Sequence, residues 1–446
     1  MRRFILILFL FLSIVLYSEE KIMRFIVMGD PQFGLKIAGD FNSGFVWSSP
    51  LWEKMPEICK KLNVNYFFVC GDIFALETGG VEKNGRDVCN ENAPKIFWDE
   101  WERYLKNFEG ICKVGWIVGG HEFAYCRDRG ETYWNNNSRN YFLKNYSDKI
   151  RYTIIDGEHL FILFDKTHDW DYLSQEGFKS NESLTYLENV LEKYKNMKYK
   201  WFFGHTPPRN ITQWWPDKEI KENKDMKLAK LLEKNNITAA FFGHEHDEYF
   251  IGNRGGFFMF ETGMHYPLLV EVTENEIKYK YLVDPLNSTK IIDPFKLPTI
   301  NDWKISIIKK DKELSFDLNN MNLEENKEVE FKTIKVNEKG EVDLGKVEGL
   351  EKGDKIIAIG EFKSFYYKGC HIMIKSQIPF SIWINGNLLE KNSKGDDRYH
   401  FYSTYSVNAK EEKNKVVVLL EFDGKGEKFV VYRDLSIRVL NKFFQN

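Results

Sequence analysis

From residue 23 to about residue 285, short apolar runs alternate with amphipathic stretches. The runs are Phe25–Met28, Tyr66–Cys70, Val114–Val118, Leu160–Phe164, Trp201–Phe203 and Ala239–Phe242. Each is continuously apolar rather than alternating, the pattern of a strand covered on both faces. The stretches between them carry helical spacing. Leu51, Met55, Ile58 and Leu62 form one stripe after Ser49-Pro50, and Phe97, Trp101, Leu105 and Phe108 form a second. Leu184, Leu187, Leu191 and Tyr194 form a third behind the candidate caps Ser180 and Asn181, and Leu228, Leu231 and Leu232 mark a fourth. Strand–helix alternation of this kind predicts an α/β core with a largely parallel arrangement.

The pattern changes after Pro267. Leu268–Val272 and Ile277–Leu282 predict a β-hairpin that closes the first unit, and 284–300, with Pro285, Pro294 and Pro298, reads as a linker. From Asn301 to Asn446 the apolar positions recur every second residue, between glycine-bearing turns. Strands are expected at Lys304–Ile308, Ile356–Ile359, His371–Ile374, Phe380–Ile384, Val416–Leu420 and Leu435–Val439, with a tight turn at Asn385-Gly386. Many short strands without a helix predict an all-β sandwich or jelly roll. The expected organisation is a leader at 1–18, an α/β unit at 23–283, a linker at 284–300 and a β unit at 301–446.

Composition narrows the functional classes. A formal net charge of −3 offers no basic surface for nucleic acid. Met1-Arg2-Arg3, the apolar run Phe4–Leu16 and the small residue Ser18 have the layout of a cleavable signal peptide. The run is short for a membrane span, so a secreted or periplasmic chain with no transmembrane segment after cleavage is expected. The six cysteines form no C-x-x-C pair, which gives a thiolate zinc site no support. Cys59 and Cys70 read as core, and Cys89 and Cys126 as loop residues able to pair in an oxidising compartment.

Five of the apolar runs end alike, in glycine followed by aspartate or histidine: Gly29-Asp30, Gly71-Asp72, Gly120-His121, Gly204-His205 and Gly243-His244. Ligand sites of open α/β sheets lie beyond the carboxyl ends of their strands. Glycine there permits a sharp turn and a close backbone approach. Packing alone rarely produces five such endings.

These motifs, Gly29-Asp30-Pro31-Gln32, Gly71-Asp72, Gly119-Gly120-His121-Glu122, Gly204-His205-Thr206-Pro207 and Gly243-His244-Glu245-His246, resemble the calcineurin-like metallophosphoesterase superfamily over residues 23–283. The resemblance implies an α/β sandwich with mixed sheets and two divalent or trivalent metal ions (manganese, iron or zinc) bridged by Asp72. The first metal would be held by Asp30, Gln32, Asp72 and His246. The second would be held by Asp72, the side chain at position 120, His205 and His244. His121 would serve the leaving group or the transition state. The implied substrate is a phosphate mono- or diester.

Two positions depart from the family pattern. Gln32 stands where the first motif usually has histidine, and its amide oxygen can still ligate. Gly120 stands where the family has a metal-binding asparagine, which leaves the second metal a ligand short unless water, backbone or another residue replaces it, the candidates being Asn42, His168 and His265. His168, Arg209 and His265 are also candidate substrate contacts. Trp214 and Trp215 read equally as a substrate lip or as an aromatic loop packed on the other unit. In the β unit, Trp383, Tyr399, Tyr402 and Tyr405 suit either a sandwich core or a stack of sugar rings. The alternative to an exported phosphoesterase is therefore a catalytically impaired relative that binds a ligand, a glycan or a cell-surface partner.

Overall fold

The computed structural model describes residues 22–35, 45–74, 93–122, 126–128, 131–133, 136–164, 182–207, 224–244, 249–254, 257–283, 285, 291–294, 299–313, 318, 329–362, 371–393, 399–403, 414–424 and 428–433. In the first unit the elements run β1 (Met23–Met28), β2 (Gly34–Leu35), β3 (Phe45–Val46), α1 (Leu51–Lys61), β4 (Tyr66–Cys70), α2 (Ala93–Lys106) and β5 (Lys113–Ile117). Next come β6 (Cys126–Asp128), β7 (Glu131–Tyr133), α3 (Asn136–Tyr146), β8 (Arg151–Asp156), β9 (His159–Phe164), α4 (Glu182–Lys193), β10 (Tyr199–Phe203), α5 (Lys224–Lys234) and β11 (Ala239–Phe242). The unit ends with β12 (Tyr249–Arg254), β13 (Phe257–Glu261), β14 (Leu268–Val272), β15 (Ile277–Leu282) and β16 (Ile291–Ile292).

These strands make two mixed sheets, ordered β16-β15-β14-β1-β4-β5 and β12-β13-β11-β10-β9-β8. Strands β1, β4 and β5 are parallel, as are β9, β10, β11 and β13; β14, β15 and β16 extend the first sheet antiparallel, and β12 and β8 flank the second antiparallel. The two sheets face each other through aromatic rings. Phe25 of β1 lies edge-on to Phe68, Phe161, Trp201, Phe203 and Phe241, with ring centroids 5.0 to 6.4 Å away. Alternate residues of the first sheet, Ile26, Met28, Phe67 and Val69, pack outward with Trp52, Ile58, Trp98 and Trp101 of α1 and α2. Both faces of these strands are thus covered, which is why their runs are continuously apolar.

Helix α1 carries Pro56 in its interior. Proline has no N–H for the carbonyl four residues earlier. That carbonyl, of Trp52, instead accepts the Tyr104 hydroxyl of α2 at 2.7 Å, so the break in one helix ties it to the next.

The β unit contains β17 (Asp302–Ile308), β18 (Lys332–Lys335), β19 (Val342–Asp343), β20 (Lys355–Phe362), β21 (His371–Ser376), β22 (Phe380–Ile384), β23 (Asn387–Ser393), β24 (Tyr399–Ser403), β25 (Asn414–Glu421) and β26 (Lys428–Arg433). They form antiparallel sheets ordered β18-β17-β20-β25-β22-β23 and β19-β26-β21-β24. Ile356, Ile382, Val418, Ile374 and Val431 are among the side chains of the core that these sheets share. Asn385 and Gly386, at φ 48° and 84°, make the tight turn between β22 and β23.

Strict period-two alternation does not hold throughout this unit. All five residues of β22 are buried, and Trp383, Ile357, Ile359 and Val417 form a second cluster with Ile308, joined by Leu318 and Phe331. Central strands covered on both faces lose the polar half of their pattern. Trp383, 7% exposed, is a core residue rather than a sugar platform. Tyr399 and Tyr402 lie on β24, their side chains not described, and Tyr405 and Leu435–Val439 lie outside the described residues.

The segment at 284–300 is tied at both ends. Ile291 and Ile292 pair with β15 at the edge of the first sheet, and Ile300 donates its N–H to Val431 at 3.0 Å. Met373 of β21 belongs to the core of the first unit, and Tyr432 packs against it.

Candidate metal centre

The parallel strands deliver their last residues to one edge of the double sheet. Beyond β1 and β4, the Asp30 N–H reaches the Gly71 carbonyl at 3.1 Å and the Gln32 N–H reaches the Asp72 carbonyl at 2.9 Å. Beyond β10 and β11, the Gly243 N–H reaches the His205 carbonyl at 2.8 Å. Four of the seven described non-glycine residues with positive φ stand here: Asp30, Gln32, Asp72 and His244. Backbone strain of this kind gathers where a site must be aimed. Gly71, at φ 79°, could not carry a side chain, because a Cβ would lie 2.7 Å from the His205 ring.

Asp72, His205 and His244 each bring one ligand atom within 4.8 Å of the others. Asp72 and His205 are almost wholly buried, and His244 faces the solvent side. The His205 Nδ1–H donates to the Cys70 carbonyl at 2.8 Å, which in the neutral ring leaves the Nε2 lone pair free. Nε2 lies 3.1 Å from Asp72 Oδ1 but is not aligned for a hydrogen bond. Asp72 Oδ2 is likewise buried without a hydrogen-bond partner among the described residues. A carboxylate oxygen and an imidazole nitrogen converging in this way, the ring fixed from behind by a backbone carbonyl, suit a cation with mixed oxygen and nitrogen ligands.

The charges agree with this. Burial raises the Asp30 carboxyl well above the usual range; His205 opposes the rise and Asp72 adds to it. Burial would also raise Asp72, but His205 and His121 hold it well below the usual carboxylate range. Burial disfavours the charged His205 ring, yet Asp72 more than reverses this and pushes its pKa up to about 10. Burial, then the Asp72 charge, pushes Glu122 up to about 8. Three buried carboxylates crowd one buried imidazole, and by the chain's own charges a proton sits where a cation would serve better.

The other expected residues fall as follows. Both Asp30 oxygens accept the His244 backbone N–H, at 3.0 and 3.1 Å, so Asp30 shapes the loop that carries His244. Gln32 is partly buried on the same loop as Asp30. The His121 N–H donates to Asp72 Oδ1 at 2.9 Å, and its Nε2 lies 3.6 Å from Asp72 Oδ2, with the side chain 24% exposed at the lip. Gly120 does not have the positive φ of a left-handed turn, and a Cβ there would meet nothing within 4 Å among the described residues. His265 follows β13 in a segment whose Gly263 carbonyl accepts the Gly29 N–H at 3.2 Å, which sets that segment beside the site. His246, Arg209, His168, Asn42, Trp214, Trp215 and Cys89 lie outside the described residues, and the side chain of Cys126 is not described.

Sequence reasoning missed the residues that hold the site in place. Glu122, fully buried, accepts the Phe74 N–H at 2.9 Å and also the Gly119 N–H, and so clips the Asp72 loop to the β5 loop. The Ser48 hydroxyl donates to the Pro31 carbonyl at 2.7 Å. Glu122 was visible as the last residue of its motif. Ser48 carried no signal.

A family model described as calcineurin-like phosphoesterase matches residues 23–248. The chain belongs to this family. The double mixed sheet, with aspartate and histidine at the strand ends, is the family's α/β sandwich, here followed by an antiparallel β-sandwich. No curated protein matches the chain. Among solved structures, a β-glucosidase from Kluyveromyces marxianus is 12% identical at a TM-score of 0.21, over 32% of this chain and 16% of its own. An anti-sigma factor domain-containing protein from Clostridium clariflavum is 11% identical at 0.21, over 41% and 59%. A Thermotoga maritima protein is 10% identical at 0.23, over 58% and 98%. Likenesses this weak carry no argument about fold or function. Among the described residues, no helix is long and apolar enough to cross a membrane.

Proposed function

We propose that the chain is an exported, metal-dependent phosphoesterase that hydrolyses phosphate mono- or diesters. The observation that carries the reading is the buried convergence of Asp72 and His205, with Asp72 Oδ2 and His205 Nε2 both lacking a hydrogen-bond partner among the described residues. Asp72, His205 and His244 would hold one cation; Asp30, Gln32 and His246 are the further ligands that the family motifs suggest. Manganese, iron and zinc all suit such ligands. A bound cation would neutralise phosphoryl charge and acidify the attacking water. His121, at the lip, is placed to give its proton to the departing alkoxide. The Cys70 carbonyl keeps the His205 ring in the ligating orientation, and Glu122 keeps the Asp72 loop in register. Export rests on the layout of residues 1–18; amino-terminal sequencing of the exported protein should begin near Glu19, and a chain retaining Met1 would contradict it.

The test is turnover of p-nitrophenyl phosphate and bis-p-nitrophenyl phosphate with added manganese, iron or zinc. Activity should be lost on chelation and restored by metal. His121→Ala should lower turnover while metal content stays unchanged. Gly120 favours a second reading, a relative that binds phosphate-bearing or glycan ligands without turning them over. Stoichiometric metal with no turnover of either ester would support that reading.

A further inference from the structure

We propose that Tyr152 is a positioning residue for His121: its hydroxyl fixes the open edge of β5 and so sets where the loop after that strand places the imidazole. The role rests on the phosphoesterase reading above. Strand β5 is the last strand of the first sheet and pairs only with β4 among the described strands. Its Trp116 turns both backbone groups to Tyr152 of β8, which belongs to the second sheet. The Trp116 N–H donates to the Tyr152 hydroxyl at 2.9 Å, and that hydroxyl donates to the Trp116 carbonyl at 2.8 Å. A phenol oxygen can accept and donate at once, so one side chain does for Trp116 what a neighbouring strand would do. The Tyr152 ring is itself held, by the pairing of β8 with β9 and by Lys149, whose Nζ lies 4.7 Å from the ring centroid.

Three residues beyond Trp116 the chain presses on the metal centre. A Cβ on Gly119 would lie 2.6 Å from the Asp72 amide nitrogen. His121 follows, its N–H donating to Asp72 Oδ1 at 2.9 Å. Gly120 offers no side-chain ligand, so β5 enters the chemistry through His121. Asp72, His205 and His244 come instead from the ends of β4, β10 and β11. Phenylalanine at 152 would leave a donor and an acceptor of the buried Trp116 unpaired, and the strand shifts to satisfy them. That shift displaces His121 and leaves the three ligands in place.

The experiment compares the full-length protein with Tyr152→Phe, each loaded with manganese, iron or zinc in turn. Hydrogen exchange is resolved to single amides, and turnover is measured on p-nitrophenyl and phenyl phosphates, as mono- and diesters. In the unsubstituted protein the Trp116 amide should exchange as slowly as the amides of β4, although β5 is an edge. In Tyr152→Phe it should exchange about tenfold faster or more, with metal content and the amides of β4 and β10 unchanged. Turnover should fall about tenfold for the p-nitrophenyl esters and further for the phenyl esters, whose poorer leaving group depends more on a donated proton. Added to His121→Ala, the same substitution should lower turnover no further.

A Trp116 amide that exchanges freely in the unsubstituted protein overturns the proposal, however the variant folds. Equal losses for the two leaving groups, unchanged turnover, or a full further loss on top of His121→Ala overturn it as well. Turnover of no ester by the unsubstituted protein is a different failure: it removes the phosphoesterase reading, and this role with it.

Discussion

At the scale of single residues, the site depends on what each position can accept or donate. Glu122 gives one carboxylate oxygen to the Phe74 N–H and the other to the Gly119 N–H. Glutamine has a single acceptor oxygen, and its amide NH2 would face one of those donors. Glu122→Gln should therefore destabilise the protein by about 1–3 kcal/mol, read from the midpoint of urea unfolding. A variant as stable as the unsubstituted protein would show that the clip is unimportant. Gly120 is the opposite case. Its φ is not that of a left-handed turn and the space around it is open among the described residues, so Gly120→Asn should fold without strain and offer the amide ligand that the family pattern has there. Calorimetric titration should then show roughly tenfold or greater tightening of the second metal equivalent, with turnover rising alongside. Folding with no gain in affinity would mean that another group already fills that role.

At the scale of elements, β1 is the strand on which the sandwich turns, because Phe25 touches aromatic rings of β4, β9, β10 and β11. Phe25→Ala should cost about 3–5 kcal/mol in chemical denaturation; a loss below 1 kcal/mol would show that the sheets close over the gap. The strands and helices of the α/β unit were legible where packing writes a long signal: continuous apolar runs for β4, β9 and β11, and helical stripes for α1, α2, α4 and α5. Helix α3 was not legible. It starts in Asn136-Asn137-Ser138 and carries no continuous apolar stripe, although Phe142 is buried and Tyr146 lies against Trp98. Edge strand β8 was equally hidden, because its residues are only partly buried or exposed and show no clean period. The five strand-end motifs were legible because glycine and a ligand recur at each. The groups that orient them were not: a backbone carbonyl such as that of Cys70 leaves no mark in a sequence, and Ser48 is one serine among many.

At the scale of the whole molecule, two packed bodies meet. The β-sandwich has its own core, with Ile356, Ile374, Ile382, Val418 and Val431 among its members, while Met373 and Tyr432 pack on the α/β unit. A fragment spanning 301–446 should fold alone, with β-type circular dichroism and a cooperative thermal transition. It should melt below the full chain, because the face that bears Met373 is then exposed. A fragment without cooperative melting would mean that the two bodies are one folding unit. The central claim, that Asp72, His205 and His244 form a cation site, is tested most directly by metal content per chain. The purified protein, dialysed against manganese, iron or zinc, should retain at least one equivalent by elemental mass spectrometry. Asp72→Asn should lose it while circular dichroism stays unchanged. No retained metal in the unsubstituted protein, or full retention in Asp72→Asn, would contradict the account.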